Sequence, residues 1–163
     1  MPVVPGLVTT TATDDRSVRT REAARADLLA VFRIEKASFA QPWPYRAFER
    51  FLGEPGFLVA DTDEVIGYVL ADVTPNGDRQ IGHIKDIAVA PASRGQGVGA
   101  TLLGRAIDVV RDRRATSVRL EVRESNEPAI ALYRRFGFVH RSTSSSYYAD
   151  GEDALVLVRE LDG

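Results

Sequence analysis

The chain has 163 residues, of which 44% are hydrophobic, 27% charged and 8% aromatic. These proportions are typical of a globular protein and unlike those of a disordered chain. No stretch approaches the roughly 20 apolar residues that a membrane-spanning helix needs, so no membrane association is expected. The formal net charge of −2 indicates no general attraction to nucleic acid.

Groups for metal or thiol chemistry are scarce. The chain has no cysteine, which excludes disulfides, thiolate metal sites and a cysteine nucleophile, and suits a reducing compartment. Its two histidines, His83 and His140, lie far apart and outside the spacing of histidine metal motifs. We therefore expect a cytoplasmic protein that holds no metal ion.

Residues 1–16 contain two prolines and several threonines, without the periodicity of a helix or a strand. They also lack the basic and apolar regions of a secretory signal. We predict a flexible tail at 1–16, followed by one domain at 17–163 in which strands and helices alternate.

The domain is predicted to begin with one strand and two helices. A strand at about 18–22 leads to a helix at 26–39. The apolar face of this helix comprises Leu28, Leu29, Val31, Phe32 and Ile34. The prolines of Gln41-Pro42-Trp43-Pro44 end it, and a second helix follows at 45–52.

Three strands are predicted next, at 57–61, 65–73 and 81–89. The turn Pro75-Asn76-Gly77-Asp78 joins the last two as an antiparallel hairpin. These strands should form the middle of a sheet.

The second half begins with the glycine-rich stretch Arg94-Gly95-Gln96-Gly97-Val98-Gly99, which opens a helix with apolar residues at helical spacing. After a strand at 117–122, Ser125-Asn126-Glu127-Pro128 is typical of a helix start, and Gly137 of its end. Two strands at 138–148 and 154–161 complete the chain. This order of elements predicts an α/β fold with a mixed sheet.

The glycine-rich turn allows two interpretations. A turn from a strand into a helix presents backbone N–H groups and the positive end of the helix dipole, which suits a phosphate or diphosphate. Its spacing fits neither the mononucleotide P-loop nor the dinucleotide motif. A tight connection without a ligand explains the glycines equally well.

Four segments together carry a more specific signal. They are Ile87-Ala88-Val89-Ala90-Pro91, Arg94-Gly95-Gln96-Gly97-Val98-Gly99, Leu120-Glu121-Val122-Arg123-Glu124-Ser125-Asn126, and Ala129-Ile130-Ala131-Leu132-Tyr133-Arg134-Arg135-Phe136-Gly137-Phe138. The set closely resembles the GNAT superfamily of acetyl-CoA-dependent N-acetyltransferases. With Tyr147-Tyr148-Ala149-Asp150-Gly151-Glu152-Asp153-Ala154, it is most similar to N-terminal acetyltransferases of the bacterial ribosomal-protein-alanine type and their archaeal relatives. The resemblance implies a mixed, mostly antiparallel seven-stranded sheet flanked by about four helices.

The resemblance also implies acetyl-CoA as the cosubstrate. The backbone of Ile87 and Val89, with Ala88 between them, would pair with the pantetheine arm as an added strand does. The diphosphate would be held by main-chain amides from Arg94, Gly95, Gln96, Gly97, Val98, Gly99 and Ala100. Asn126 would bond the pantetheine near the thioester, and a helix N-cap is the alternative role of Asn126.

Three residues are candidates for proton transfer. The alternating strand at 118–122 places Glu121 on one face with Arg119 and Arg123. The resemblance implies that Glu121 accepts the ammonium proton, directly or through water; the alternative is a surface ion pair with the arginines, whose charge would weaken it as a base.

Tyr133 lies on the predicted buried face of its helix and matches the general acid of the family, although core packing or a hydrogen bond to the sulfur would also explain it. His83, beside the cofactor strand, matches an auxiliary proton acceptor of some relatives or is a structural histidine.

The acceptor side of the site is implied to contain Gln41, Trp43, Tyr147 and Tyr148. Tyrosine hydroxyls there can bond the acceptor backbone and leave side-chain selection to pocket size, while packing of these rings is the alternative. At Gln41 the sequence departs from archaeal relatives that carry a glutamate linked to bulky first residues. A small first residue, such as alanine or serine, is therefore favoured.

These implications predict an Nα-acetyltransferase that acts on the free α-amino group of protein N-termini, with ribosomal proteins as candidates, by direct attack within a ternary complex. An α-amino group has a pKa near 8, against ~10.4 for lysine, so one modest base suffices. Two alternatives stay open: acetylation of a small-molecule amine or lysine side chain, and a non-catalytic acyl-CoA-binding module. The residues do not distinguish a monomer from a homodimer.

Overall fold

The computed structural model describes residues 18–161, so the tail predicted at 1–16 lies outside the described residues. Seven strands are present among these described residues, as predicted. They are β1 (Arg19–Glu22), β2 (Phe57–Asp61), β3 (Val65–Asn76), β4 (Arg79–Val89), β5 (Ala115–Arg123), β6 (Val139–Ser144) and β7 (Ala154–Glu160). They form one sheet in the order β1-β2-β3-β4-β5-β7-β6, in which only β4 and β5 pair in parallel.

Four helices flank this sheet. They are α1 (Leu28–Ser38), α2 (Tyr45–Glu49), α3 (Val98–Asp112) and α4 (Glu127–Arg135), with 3₁₀ turns at Arg25–Asp27 and Pro91–Ser93. Both the order and the number confirm the predicted fold. Among the described residues, no helix has the length and apolarity to cross a bilayer.

The core has one part on each face of the sheet. On one face, α1 and α2 bury Leu28, Val31 and Phe48 against Tyr68 and Leu70 of β3. On the other face, α3 and α4 bury a second cluster that includes Leu102, Leu103, Ile107, Ile130 and Tyr133. Complete burial of each large apolar side chain is worth about 1.5–3 kcal/mol, so the two clusters hold the sheet between two helical layers.

The apolar face predicted for α1 is wrong at one position. Leu28 and Val31 are buried, whereas the side chain of Leu29 is 50% exposed. The helix presents one face to the sheet, and Glu35, at helical spacing from Leu28 and Val31, takes the next inward position with 2% exposure. A charged residue therefore occupies a core position.

A β-bulge interrupts the pairing of β3 with β4. Leu70 pairs with Asp86 and Ala71 with Ile84, so Lys85 is the extra residue. As a result, Lys85 and Asp86 both face α1 and α2: Lys85 Nζ lies 5.9 Å from the centre of the Phe51 ring, and Asp86 contacts Tyr68. Simple strand alternation would have placed them on opposite faces.

The parallel pairing of β4 with β5 is short. It runs from the pair Gln80–Ala115 to the pair His83–Arg119, although both strands continue further. Beyond His83 the two strands separate, and a gap opens in the middle of the sheet.

The strand predicted at 138–148 is too long, because β6 ends at Ser144. Residues 145–153 form a loop, hereafter the tyrosine loop. Ser146 there has a positive φ of 48°, and Tyr148 N–H donates to Glu152 O at 3.1 Å. Tyr147 and Tyr148 therefore stand on a turn beside the gap rather than in a strand.

Candidate active site

The gap between β4 and β5 opens into a cavity of about 660 Å³. Its walls are residues 84–87 of β4 and 120–123 of β5, with Tyr133 of α4. The tyrosine loop and residues 39–44, hereafter the α1–α2 loop, cover one side. This volume is in the range of small-ligand pockets.

Eight of the eighteen residues predicted for the site from the sequence lie on this cavity. Those that line it are Gln41, Trp43, Ile87, Glu121, Asn126, Tyr133, Tyr147 and Tyr148. His83 reaches it through Glu121. Ala88 and Val89 lie in β4 just after the residues that line the cavity, and the glycine-rich turn follows farther along the chain.

The main chain at the end of β4 directs hydrogen-bonding groups into the gap. Ala90 N–H donates to Ile66 O of the neighbouring chain segment at 2.8 Å. Because successive residues of a strand direct these groups to opposite edges, Ala88 also faces β3, while Ile87 and Val89 face the gap. An extended ligand in the gap would meet the main chain of Ile87 as a paired strand does.

The glycine-rich turn ends in a helix start with free donors. Gly95 and Gly97 have φ values of 79° and 85°, a region that favours glycine, and a Cβ on either would meet no atom within 4 Å. Thr101 N–H donates to Gly97 O at 3.1 Å and closes the first turn of α3. The main-chain N–H groups of α3 before Thr101 have no acceptor within the helix. They and the positive end of the helix dipole are therefore available to bind an anion.

Arg94 connects this turn to two other elements. Its Nε donates to Val89 O at 2.9 Å, and its Nη2 donates to Ser38 Oγ at the end of α1 at 3.1 Å. Its own N–H donates to Pro91 O at 3.4 Å. The side chain of Arg94 therefore holds the turn against the end of β4, a role that the sequence did not indicate.

Glu121 and His83 form a hydrogen-bonded pair at the point where the strands separate. His83 Nε2 lies 2.7 Å from Glu121 Oε1, and the two side chains are 18% and 13% exposed. Arg119 Nη1 lies 3.7 Å from the other carboxylate oxygen of Glu121. Arg123, the second flanking arginine, points instead to the tyrosine loop.

The surroundings of Glu121 keep it ionised. Burial by itself raises the pKa of Glu121, but the hydrogen bond with His83 and the charges of His83, Arg119 and Lys85 outweigh it. The pKa of Glu121 therefore lies below its ordinary value. Such a carboxylate is free to accept a proton at neutral pH but is a weak base on its own.

Tyr133 presents a neutral phenol to the cavity. The residue is 7% exposed, and its ring meets that of Phe138 edge-on at 5.9 Å. Burial, followed by the nearby Asp86, raises the pKa of Tyr133 above its ordinary value. Tyr133 therefore remains a hydrogen-bond donor throughout the physiological pH range.

Asn126 is the N-cap of α4. Its Oδ1 accepts from Ala129 N–H at 3.3 Å, as the capping interpretation predicted. The same side chain lines the cavity, and the cap leaves its amide nitrogen as a donor. The two roles considered for Asn126 are thus compatible.

Trp43 stabilises the α1–α2 loop mainly through packing of its ring. Its ring lies 5.4 Å from that of Phe48 and 6.2 Å from that of Phe51. Its main-chain N–H donates to the buried Glu35 Oε2 at 2.8 Å. Gln41 is exposed at the rim of the cavity.

Arg123 fixes the tyrosine loop. Its Nη1 lies 2.9 Å from Asp150 Oδ2 and from Glu152 Oε1, and its guanidinium lies 4.0 Å from the centre of the Tyr148 ring. Burial and then Tyr147 raise the pKa of Tyr148 to about 12, so its hydroxyl stays a donor. Tyr147, 52% exposed, packs edge-on against it at 5.0 Å.

The cavity residues that sequence reasoning missed include three charged ones, Glu35, Lys85 and Asp86. Glu35 could have been found, since its helical spacing from Leu28 and Val31 places a charge at a core position. Asp86 had no such signal, because the bulge at Lys85 changes the face to which it points.

Comparisons with known proteins show the family to which the chain belongs. Residues 28–138 match the Acetyltransferase (GNAT) family. An N-alpha-acetyltransferase of Sulfolobus acidocaldarius is 38% identical over 154 residues, which cover 86% of this chain and 91% of that protein. The [ribosomal protein bS18]-alanine N-acetyltransferase of Escherichia coli is 33% identical over 136 residues, 80% and 89% of the two chains. The crystal structure of Ard1 from Thermoplasma volcanium superposes with a TM-score of 0.83 at 27% identity, covering 90% of this chain and 99% of that one.

Sequence similarity of this extent, together with the gap in the sheet and the glycine-rich turn beside it, places the chain in the class of acyltransferases. Within that class the chain belongs to the GNAT family of acetyltransferases, as its motifs predicted.

Proposed function

We propose that the protein transfers the acetyl group of acetyl-CoA to the free α-amino group of protein N-termini. The observation that carries this proposal is one cavity that joins the Glu121–His83 pair, Tyr133 and two loops suited to a peptide. The archaeal relative, 38% identical over nearly its whole length, is an N-alpha-acetyltransferase. We place the activity in the cytoplasm, with residues 17–163 as one catalytic domain and ribosomal proteins among the substrates.

The chain offers acetyl-CoA a continuous path. The free amides at the start of α3 suit the diphosphate, and the glycines leave room for it. The main chain of Ile87 and the amide nitrogen of Asn126 would then hold the pantetheine arm along the gap. Acetyl-CoA supplies the activated acetyl group, and the path orients its thioester toward the polar groups of the cavity.

The Glu121–His83 pair would remove the proton from the acceptor ammonium. Glu121 is ionised at neutral pH, and its hydrogen bond with His83 holds the carboxylate in place. The pair acts on an α-amino group with a pKa near 8, so little basicity is required.

Tyr133 would donate its hydroxyl hydrogen to the sulfur as negative charge develops there. Its raised pKa keeps the proton on the phenol in the resting enzyme. Because that pKa lies above the ~8.5 of a thiol, full proton transfer to the thiolate is uphill, and Tyr133 would stabilise the charge on sulfur by a hydrogen bond.

A panel of acceptors tests this function. The purified chain, given acetyl-CoA, should release free thiol with peptides that begin with alanine or serine. The same peptides with a blocked N-terminus and an internal lysine serve as the control and should give no release. Turnover confined to lysine or to polyamines would contradict the proposal, and binding of acetyl-CoA without any turnover would indicate a binding module.

Glu121→Gln should slow turnover without abolishing it. We expect kcat/KM at neutral pH to fall by about 10- to 100-fold, because the amide cannot accept a proton. The loss should shrink as the pH rises past about 8, where the acceptor amine is already neutral. A pH profile of kcat/KM measures this. Glu54→Gln, which affects a surface pair with Arg113, should keep the native profile; an equal loss at every pH would argue against proton removal by Glu121.

Arg123→Lys should weaken acceptor binding selectively. Lysine keeps the charge but lacks the planar guanidinium that stacks on Tyr148 while its Nη1 meets two carboxylates. We expect KM for the peptide to rise about 5- to 20-fold, with an unchanged Kd for acetyl-CoA. Arg141→Lys alters an exposed pair with Glu160 and is the matched control. Equal weakening of both substrates would disagree with a role confined to the tyrosine loop.

A further inference from the structure

A partly buried chain of hydrogen bonds leads from the cavity to the α1–α2 loop. Asp86 of β4 lines the cavity, and its Oδ2 lies 3.2 Å from the hydroxyl of Tyr68. The same hydroxyl bonds Glu35 Oε1. The second oxygen of Glu35 accepts the main-chain N–H of Trp43 at 2.8 Å. The order of the chain is therefore Asp86, Tyr68, Glu35 and Trp43.

Counting protons in this chain shows that one carboxyl must be neutral. The Tyr68 hydroxyl has one hydrogen and two carboxyl neighbours, so it can donate to only one of them. The other contact is a hydrogen bond only if that carboxyl is protonated and donates to the Tyr68 oxygen. Two ionised carboxylates would leave a buried repulsive contact, which is costly.

The position of the proton follows from the donors around each carboxyl. Glu35 receives the Trp43 N–H, a donor that stabilises a charged oxygen, and the Tyr68 hydroxyl lies closer to Glu35 than to Asp86. Asp86 also accepts a main-chain N–H, that of Ile87, but it faces the charge of Glu35. Burial and then Glu35 raise the pKa of Asp86 well above its ordinary value. The arrangement that satisfies every partner is a neutral Asp86 donating to Tyr68, which donates to an ionised Glu35.

We propose that Asp86 is a positioning residue, a neutral carboxylic acid that holds the α1–α2 loop through Tyr68 and Glu35 and so sets the affinity of the site for its acceptor. This inference rests on the proposed function, which assigns the α1–α2 loop to the binding of the acceptor. Asp86 itself need not touch either substrate, because its effect is carried by the N–H of Trp43.

The charged and titratable groups around Asp86 come from every element packed there. Glu35 belongs to α1, Tyr68 to β3 and Tyr133 to α4, while Lys85 precedes Asp86 on its own strand. Across the gap, Glu121, Arg123 and Tyr148 also border the cavity. Lys85 is turned toward Asp72, at 3.7 Å, rather than toward Asp86.

Two isosteric variants test the proposal. Asp86→Asn keeps a neutral group that can donate to Tyr68, so KM for the acceptor peptide should stay within about 2-fold of native. Glu35→Gln removes the charge that holds Trp43, and KM should rise about 10-fold or more with a smaller change in kcat. Both variants should bind acetyl-CoA as the native protein does. The reverse result, with Glu35→Gln tolerated and Asp86→Asn impaired, would place the proton on Glu35 and overturn the proposal.

A second readout does not depend on the acceptor. An Asp86 carboxyl that is neutral in the folded protein and ionised in the unfolded chain makes folding less favourable as the pH rises above about 4. Its stabilising contribution is complete below that pH and is lost as the pH climbs toward the raised folded pKa. Asparagine does not titrate, so the melting temperature of Asp86→Asn minus that of native protein should increase with pH. A constant difference would refute the neutral acid even if no peptide were ever acetylated.

Discussion

Replacing Gly97 by glutamate is expected to abolish measurable binding of acetyl-CoA, with a loss of affinity of about 100-fold or more. Gly97 is the N-cap of α3 and has a left-handed backbone. A glutamate there would fill the space beside the free amides with a side chain and place a negative charge where the diphosphate is proposed to bind. Isothermal titration calorimetry with acetyl-CoA measures the effect directly.

Two further variants separate this effect from backbone strain. Gly77→Glu introduces the same charge at a turn glycine with φ of 68°, at the far end of the β3–β4 hairpin. It should lose stability as Gly97→Glu does, but bind acetyl-CoA normally. Gly97→Asn, neutral and tolerant of a left-handed backbone, should retain most of the affinity. Undiminished affinity in folded Gly97→Glu would show that the turn does not hold the diphosphate.

Tyr133→Phe is expected to lower kcat by about 100-fold or more while Kd for acetyl-CoA changes less than about 3-fold. Phenylalanine keeps the edge-on contact with Phe138 and the burial of the ring. The substitution removes only the hydroxyl group, which is the hydrogen-bond donor proposed to stabilise negative charge on the departing sulfur. Steady-state kinetics together with calorimetric binding distinguish the two parameters.

The control for Tyr133 is a tyrosine outside the cavity. Tyr45 of α2 packs edge-on against Phe32 at 6.1 Å, and Tyr45→Phe should leave kcat unchanged. Because the pKa of Tyr133 is raised, native kcat should show no alkaline decline from this group below about pH 10. Native turnover in Tyr133→Phe would assign Tyr133 to core packing alone.

The parts of the site that were predictable are those with local signals. Gly95 and Gly97 indicated a turn that opens a helix, and Asn126 before Pro128 indicated a helix cap. The alternation of residues 118–122 placed Glu121 on the polar face of its strand. Each of these features depends on a few neighbouring residues, so the sequence alone was enough.

The parts that were not predictable depend on contacts between distant segments. Nothing near Lys85 indicates the bulge that turns Asp86 toward Tyr68. The serines and threonines before Tyr147 fit a strand as well as a loop, and the loop is formed by Arg123, which comes from another strand. The partners of Glu35 are likewise supplied by β3 and by the α1–α2 loop.

Because the pairing of β4 with β5 ends at His83, the gap leaves main-chain groups of β4 with no strand beside them. An extended cosubstrate lying in this gap would continue the strand pairing and connect the two parts of the sheet on either side of it. Binding to the folded state alone adds free energy of unfolding, about 2.7 kcal/mol at a ligand concentration of 100 times Kd. The lifetime of this protein in a cell would then follow the supply of its own cosubstrate.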